Sequence, residues 1–202
     1  MGITLQQFEQ MKNRVTGTRR VPTGVLESYL APKSGAHSII LGIDPSLRGT
    51  GYGIIRVMKR QPELLTQGTI KSPARWERSH CLLHIAQGLR DVLKHHHPTV
   101  CVIEGLFYAQ NLQTALIMGE ARGASLVAAA EAGMEIFEIA PRKVKQAVVG
   151  YGAAQKSAVA KMVQRMLRLA EMPAPDAADA LALALTYAQE NSRYNLTPPK
   201  RI

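Results

Sequence analysis

Long apolar runs are missing from this 202-residue chain. No stretch approaches the roughly 18 apolar residues that a membrane-crossing helix needs. The Ala-rich segments 124–132 and 177–188 are broken by Glu131, Asp179 and Thr186, so no membrane partner is expected. Cysteine is nearly absent. Cys81 falls in a helical pattern and Cys101 in a strand pattern, which gives neither a disulfide framework nor zinc-ligand spacing. Such usage suits a reducing cytoplasm, the expected location. The N-terminus has no continuous apolar core of a secretory signal, and residues 1–36 carry Glu9 and Glu27, which weakens a transit-peptide reading. There is no GK[ST] element, which excludes a P-loop, and no internal repeat.

Acidic residues are also in deficit. Fifteen Asp and Glu face 25 Lys and Arg, for a net charge of +10 and a pI near 9.9. A field of that sign favours a polyanionic partner. Charge alone does not separate nucleic acid from other polyanions, so the few carboxylates must decide.

With 46% hydrophobic residues, the chain can bury one core, and its length fits one domain with a modest extension. Residues 1–37 stand apart as an N-terminal extension, with a short amphipathic start (Ile3, Leu5, Phe8, Met11) followed by turn-rich sequence. From Ser38 come three strand-like runs, SIILGID, YGIIRVM after a glycine-rich turn, and ELLTQGTIK. A helix follows over 74–97, stopping at Pro98, and then a buried strand, TVCVIEG. The pattern continues with a helix over 112–132, a short strand MEIFEIA, helices at PRKVKQAVV and 153–169, and a last helix from Pro175. This order predicts an α/β fold, a mixed five-stranded sheet flanked by helices. The domain spans 38–190, and 191–202 form a C-terminal tail.

Asp44 ends the strand ILGID beside a glycine-rich turn, where a carboxylate can face a ligand crevice, although Asp before Pro45 also suits a plain turn. Glu104 is the anomaly. It follows Val100, Cys101, Val102 and Ile103, and a glutamate on a buried strand needs a cation, either a metal or a basic side chain. Asp176 and Asp179, three residues apart in PDAADALA, share one face of a helix start, where they also resemble a capping box. Together, four carboxylates from two strand ends and one helix start repel one another unless a divalent cation joins them. Oxygen-only ligands select Mg²⁺ or Mn²⁺. Two such ions about 3.5–4 Å apart suit phosphodiester hydrolysis.

The blocks ILGIDPSLRGTGYGIIR, VIEGLFYAQN, PRKVKQAVVGYGAAQKSAV and PDAADALALA, in that order, resemble the RuvC Holliday-junction resolvases over about residues 38–189. The resemblance implies a ribonuclease H-like fold and a homodimer that nicks a four-way DNA junction symmetrically, with two Mg²⁺ ions per site and Mn²⁺ able to substitute. It places the metal ligands at Asp44, Glu104, Asp176 and Asp179, has Lys145 and Lys156 contact the DNA near the scissile phosphate, and stacks Phe107 on bases near the crossover. Engagement by a branch-migration motor complex stays open. The sequence departs from the pattern at Ser46 and Gly105, beside two of the carboxylates, which leaves the preferred cleavage sequence open.

The helix from Leu112 is apolar nearly all round, with Gly119 and Gly123 on one face. One face would cover the sheet and the other a symmetric mate. The competing classes are another ribonuclease H-like nuclease, an inactive junction-binding module, and a sugar-kinase or actin-like ATPase. The last needs a second phosphate-binding turn that the sequence lacks.

Overall fold

The computed structural model describes residues 38–59, 61–105, 111–191 and 199–202, all within the unit Ala36–Ile202. The expected N-terminal extension and Phe107 lie outside the described residues. Among the described residues no helix is long and apolar enough to cross a membrane.

Three strands come first: β1 (Ile39–Asp44), β2 (Gly49–Arg56) and β3 (Glu63–Lys71). Then follow α1 (Arg78–His96), β4 (Val100–Glu104), α2 (Leu112–Glu131) and β5 (Glu135–Ile139). The chain continues through α3 (Pro141–Val149), α4 (Lys156–Leu167), α5 (Pro175–Asn191) and β6 (Lys200–Arg201). The sheet order is β3-β2-β1-β4-β5-β6. β1 pairs antiparallel with β2 and parallel with β4, and β4 pairs parallel with β5.

Two details differ from the sequence expectation. The sheet has six strands rather than five, because the two residues of β6 add antiparallel to β5 from a segment expected to be tail. The glycine-rich turn after Asp44 is shorter than expected: Gly49 and Gly51 lie, with Gly53, within β2. Alternate strand residues project to opposite faces of a sheet, so glycine at 49, 51 and 53 clears one face of β2 of side chains as far as Ile55.

That face is where α5 docks. A Cβ on Gly42 would collide with the carbonyl oxygen of Ala180, one on Gly51 with that of Asp176, and one on Gly53 with the Leu181 side chain. Bare backbone thus lets the helix lie directly on β1 and β2. Around it, Ile40, Ile55, Val100, Val102 and Ile139 join Leu181, Leu185 and residues of α3 and α4 in one core. The opposite parity, Leu41, Ile43, Ile54, Cys101 and Ile103, packs against α1 and α2 in a second core. Both cores draw on β1, β2 and β4, the centre of the sheet.

Candidate active site

Strand parity decides where the two strand-end carboxylates point. Asp44 follows Ile40 and Gly42 on the α5 face of β1, and Glu104 follows Val100 and Val102 on the same face of β4. The parallel register pairs Ile43 with Ile103, so the next residues, Asp44 and Glu104, stand side by side where both strands end. Each of the two carboxyl groups perturbs the other.

The third contribution comes from above. Because α5 begins at Pro175, Asp176 lies in its first turn, and Asp179 follows one turn on toward the sheet. A Cβ on Gly49 would sit 3.0 Å from Asp176 Oδ2, so the carboxylate occupies space left open by glycine. The capping-box reading of this pair is not what forms. The Ala174 carbonyl accepts the first helical bond from the Ala178 N–H, and Asp179 Oδ2 instead accepts from Lys156 Nζ at 2.7 Å. Nor is Asp44 a turn-former: the turn after it closes through Thr50 Oγ1, which donates to the Ser46 carbonyl at 2.7 Å.

Proximity shows in the acidities. Burial pushes the Asp44 carboxyl up to about 6, with the negative charge of Asp179 adding to it. Burial also pushes Glu104 up to about 7, with Asp44 the next cause and Asp179 after it. The Lys156 ammonium opposes both shifts, and its hydrogen bond to Asp179 raises its own pKa. The site is short of positive charge, which one exposed lysine supplies only in part.

The donor set consists of carboxylate oxygens alone, the hard ligands that Mg²⁺ and Mn²⁺ prefer. Among the described residues no three His, Cys, Asp or Glu side chains close into a ready metal cage. The Lys156–Asp179 ion pair turns one carboxylate oxygen toward a protein partner. An ammonium at Asp179 occupies part of the role of divalent charge, so the residues fit a hard cation.

Residues 40–187 match the family model described as crossover junction endodeoxyribonuclease RuvC. The chain belongs to the RuvC family. Relatives bearing that name include one from Akkermansia muciniphila, 46% identical over 148 residues, covering 73% of this chain and 89% of the relative. Another, from Legionella pneumophila, is 45% identical over 151 residues, covering 75% and 87%. Among solved structures, a T. thermophilus RuvC in complex with Holliday junction substrate superposes with a TM-score of 0.75 at 34% identity, covering 82% of this chain and all of that one. A yeast mitochondrial Holliday junction resolvase, 13% identical with a TM-score of 0.56, shares the fold. The expected ribonuclease H-like architecture is that of RuvC.

Of the seven residues singled out in the sequence, the structure brings five together: the four carboxylates and Lys156. Lys145 lies on α3, and among the described residues no hydrogen bond or ion pair joins it to the carboxylates. Phe107 lies outside the described residues. Sequence reading missed two arginines that brace the acidic strand ends. Arg48 ties the turn after Asp44 to the segment before α1, donating to the carbonyls of Pro73 at 2.6 Å and Trp76 at 3.1 Å. Arg122, on α2, donates to the carbonyl of Glu104 at 2.8 Å. Its signal was available: a lone cation among Ala121, Gly123, Ala124 and Ser125.

Proposed function

We propose that this chain is a Holliday-junction resolvase, a structure-selective DNA endonuclease that introduces paired symmetric nicks. The observation that carries the reading is the convergence of Asp44, Glu104, Asp176 and Asp179, from three separate elements, at one sheet edge beside a lysine. The RuvC relatives and the junction-bound T. thermophilus structure supply the substrate class.

Asp44, Glu104, Asp176 and Asp179 would hold divalent cations, two Mg²⁺ per site with Mn²⁺ as a substitute. When bound, such a pair activates water and stabilises the departing 3′-oxygen of a phosphodiester. The protein's own contributions are geometric. Burial at the ends of β1 and β4 keeps Asp44 and Glu104 poorly hydrated and so ready to exchange a proton for a cation. The Lys156 side chain is mostly exposed on a flexible stem, with its ammonium at Asp179. If Asp179 held a cation, the Lys156 ammonium would be free to reach a phosphate oxygen of the bound strand on that stem. Lys145 and Phe107 belong to the same DNA-binding set by family resemblance, Lys145 toward the phosphate backbone and Phe107 as a base-stacking face.

A homodimer completes the reading, since two nicks related by a two-fold axis require two sites. Support comes from α2, where Leu112, Leu116, Gly119, Gly123 and Val127 form one stripe along the helix. Leu112, Leu116 and Val127 are 76%, 58% and 51% exposed, and a Cβ on either glycine would meet nothing within 4 Å. Residues 38–190 constitute the nuclease domain, with 1–37 an extension to it.

The test is a mobile four-way junction labelled on each strand in turn and incubated with Mg²⁺. The expected result is nicks in two opposed strands at matching positions and no cleavage of linear duplex of the same sequence. Equal cutting of duplex would assign the site to a less selective nuclease. Junction binding without any cleavage would make the chain a binding module.

A further inference from the structure

We infer that Arg122 is a positioning residue for the metal site: it holds the backbone of Glu104 from the face of the sheet opposite to the Glu104 carboxylate. The inference rests on the assignment of Glu104 as a metal ligand.

Among the described residues Arg122 is the one charged residue that is buried, at 7% exposure. A guanidinium so placed is costly unless its charge and donors are matched. Both matches lie at the active-site edge of the sheet. Nη1 donates to the carbonyl of Glu104, and Nη2 forms an ion pair with the Glu138 carboxylate of β5. The planar fork of arginine presents a separate nitrogen to each of two such acceptors, where a lysine has a single nitrogen on a flexible stem.

The location of the fork gives it a function beyond packing. Glu104 ends β4, and the Gly105 N–H still donates to the Ile139 carbonyl of β5 at 2.9 Å. Arg122 reaches the same point from α2, so β4, β5 and α2 are tied together at the residue that carries a site carboxylate. A Cβ on Gly105 would lie 3.2 Å from Glu138 Cγ, tighter than ordinary contact. The absence of a side chain at Gly105 thus leaves room for Glu138 beneath the strand end. Metal sites gain affinity from partners that fix the orientation of their ligating carboxylates, and loss of such a partner typically costs about tenfold to a hundredfold. Here the partner fixes the main chain instead.

The test compares wild type, Arg122→Lys and Glu138→Gln. Lysine keeps the charge and loses the fork, while glutamine keeps an acceptor and loses the charge. The DNA-free proteins are titrated with Mn²⁺, and free Mn²⁺ is read by electron paramagnetic resonance. Junction affinity in EDTA and the Mg²⁺ concentration for half-maximal cleavage are measured alongside. For Arg122→Lys, the Mn²⁺ dissociation constant should rise about tenfold or more. The half-maximal Mg²⁺ concentration should rise in step, and junction affinity should stay unchanged. Glu138→Gln should shift both metal readouts in the same direction by less, and it decides the matter alone if the lysine variant does not fold.

Unchanged Mn²⁺ affinity in a folded variant would overturn the assignment and leave Arg122 a packing residue. So would a loss of junction affinity equal to the loss of metal affinity. Failure of the wild type to cut junctions would instead overturn the resolvase reading, since the Mn²⁺ comparison needs no DNA.

Discussion

Replacing Asp44 by asparagine should abolish cleavage and at the same time stabilise the metal-free protein. Burial first, and the neighbouring charges second, lift Asp44 from an ordinary 3.8 to about 6 and Glu104 from 4.5 to about 7. Groups whose folded pKa is raised bind more protons in the native than in the unfolded state. Stability therefore falls as pH climbs from about 4 to about 7. At pH 8 both carboxylates are ionised, and each lift corresponds to on the order of 3 kcal/mol held against the fold. Asparagine removes the burial penalty of one charge and its repulsion of Glu104, and its amide can donate to the Glu104 carboxylate. After the cost of desolvating the amide, a gain of about 2 kcal/mol is expected at pH 8. In a domain of this size that corresponds to roughly 4–8 °C in Tm. The assay is thermal unfolding of both proteins in EDTA at pH 5 and pH 8. The variant should melt higher at pH 8, with the gap narrowing at pH 5, where wild type is largely protonated at this pair. Added Mg²⁺ should raise the wild-type Tm and leave the variant nearly unmoved. A variant less stable than wild type at pH 8, or a gap independent of pH, would refute the reasoning.

Lys156→Met should slow cleavage far more than it weakens junction binding, because one exposed ammonium adds little to the total phosphate contacts but stands at Asp179; single-turnover rates beside gel-shift titrations distinguish the two. Gly51→Ala should destabilise the fold by about 1–3 kcal/mol or more, since the new methyl meets the Asp176 carbonyl and α5 must lift; urea denaturation reads the loss. Junction affinity should fall steeply as salt rises, as counterions released by phosphate contacts require, and a flat salt response would count against a basic DNA-binding surface.

Glu104 was the clearest signal in the sequence because its physics is local: a carboxylate after four apolar or small residues on a strand demands a partner. Asp44, Asp176 and Asp179 each admit an ordinary local role, and only their meeting excludes it. That meeting depends on strand parity and on the glycines at 42, 51 and 53, whose function is to let α5 rest on bare backbone. Read along the chain, the glycines after Asp44 look like a turn; paired with β3 they are a strand. The order of the five main strands and the helices was recoverable from apolar periodicity and breakers. β6 was not, since Lys200 and Arg201 carry no strand pattern and owe their pairing to the exposed edge of β5. Arg122 was missed for a similar reason: its partners, Glu104 and Glu138, are 18 and 16 residues away along the chain.

The most direct test of the central claim is single-turnover cleavage of a four-way junction in Mg²⁺ by wild type, Asp44→Asn, Glu104→Gln, Asp176→Asn and Asp179→Asn, measured side by side with junction binding in EDTA. The account predicts paired nicks from wild type alone, with all five proteins binding the junction. Full cleavage by any one of the four variants, or by wild type in EDTA, would contradict it.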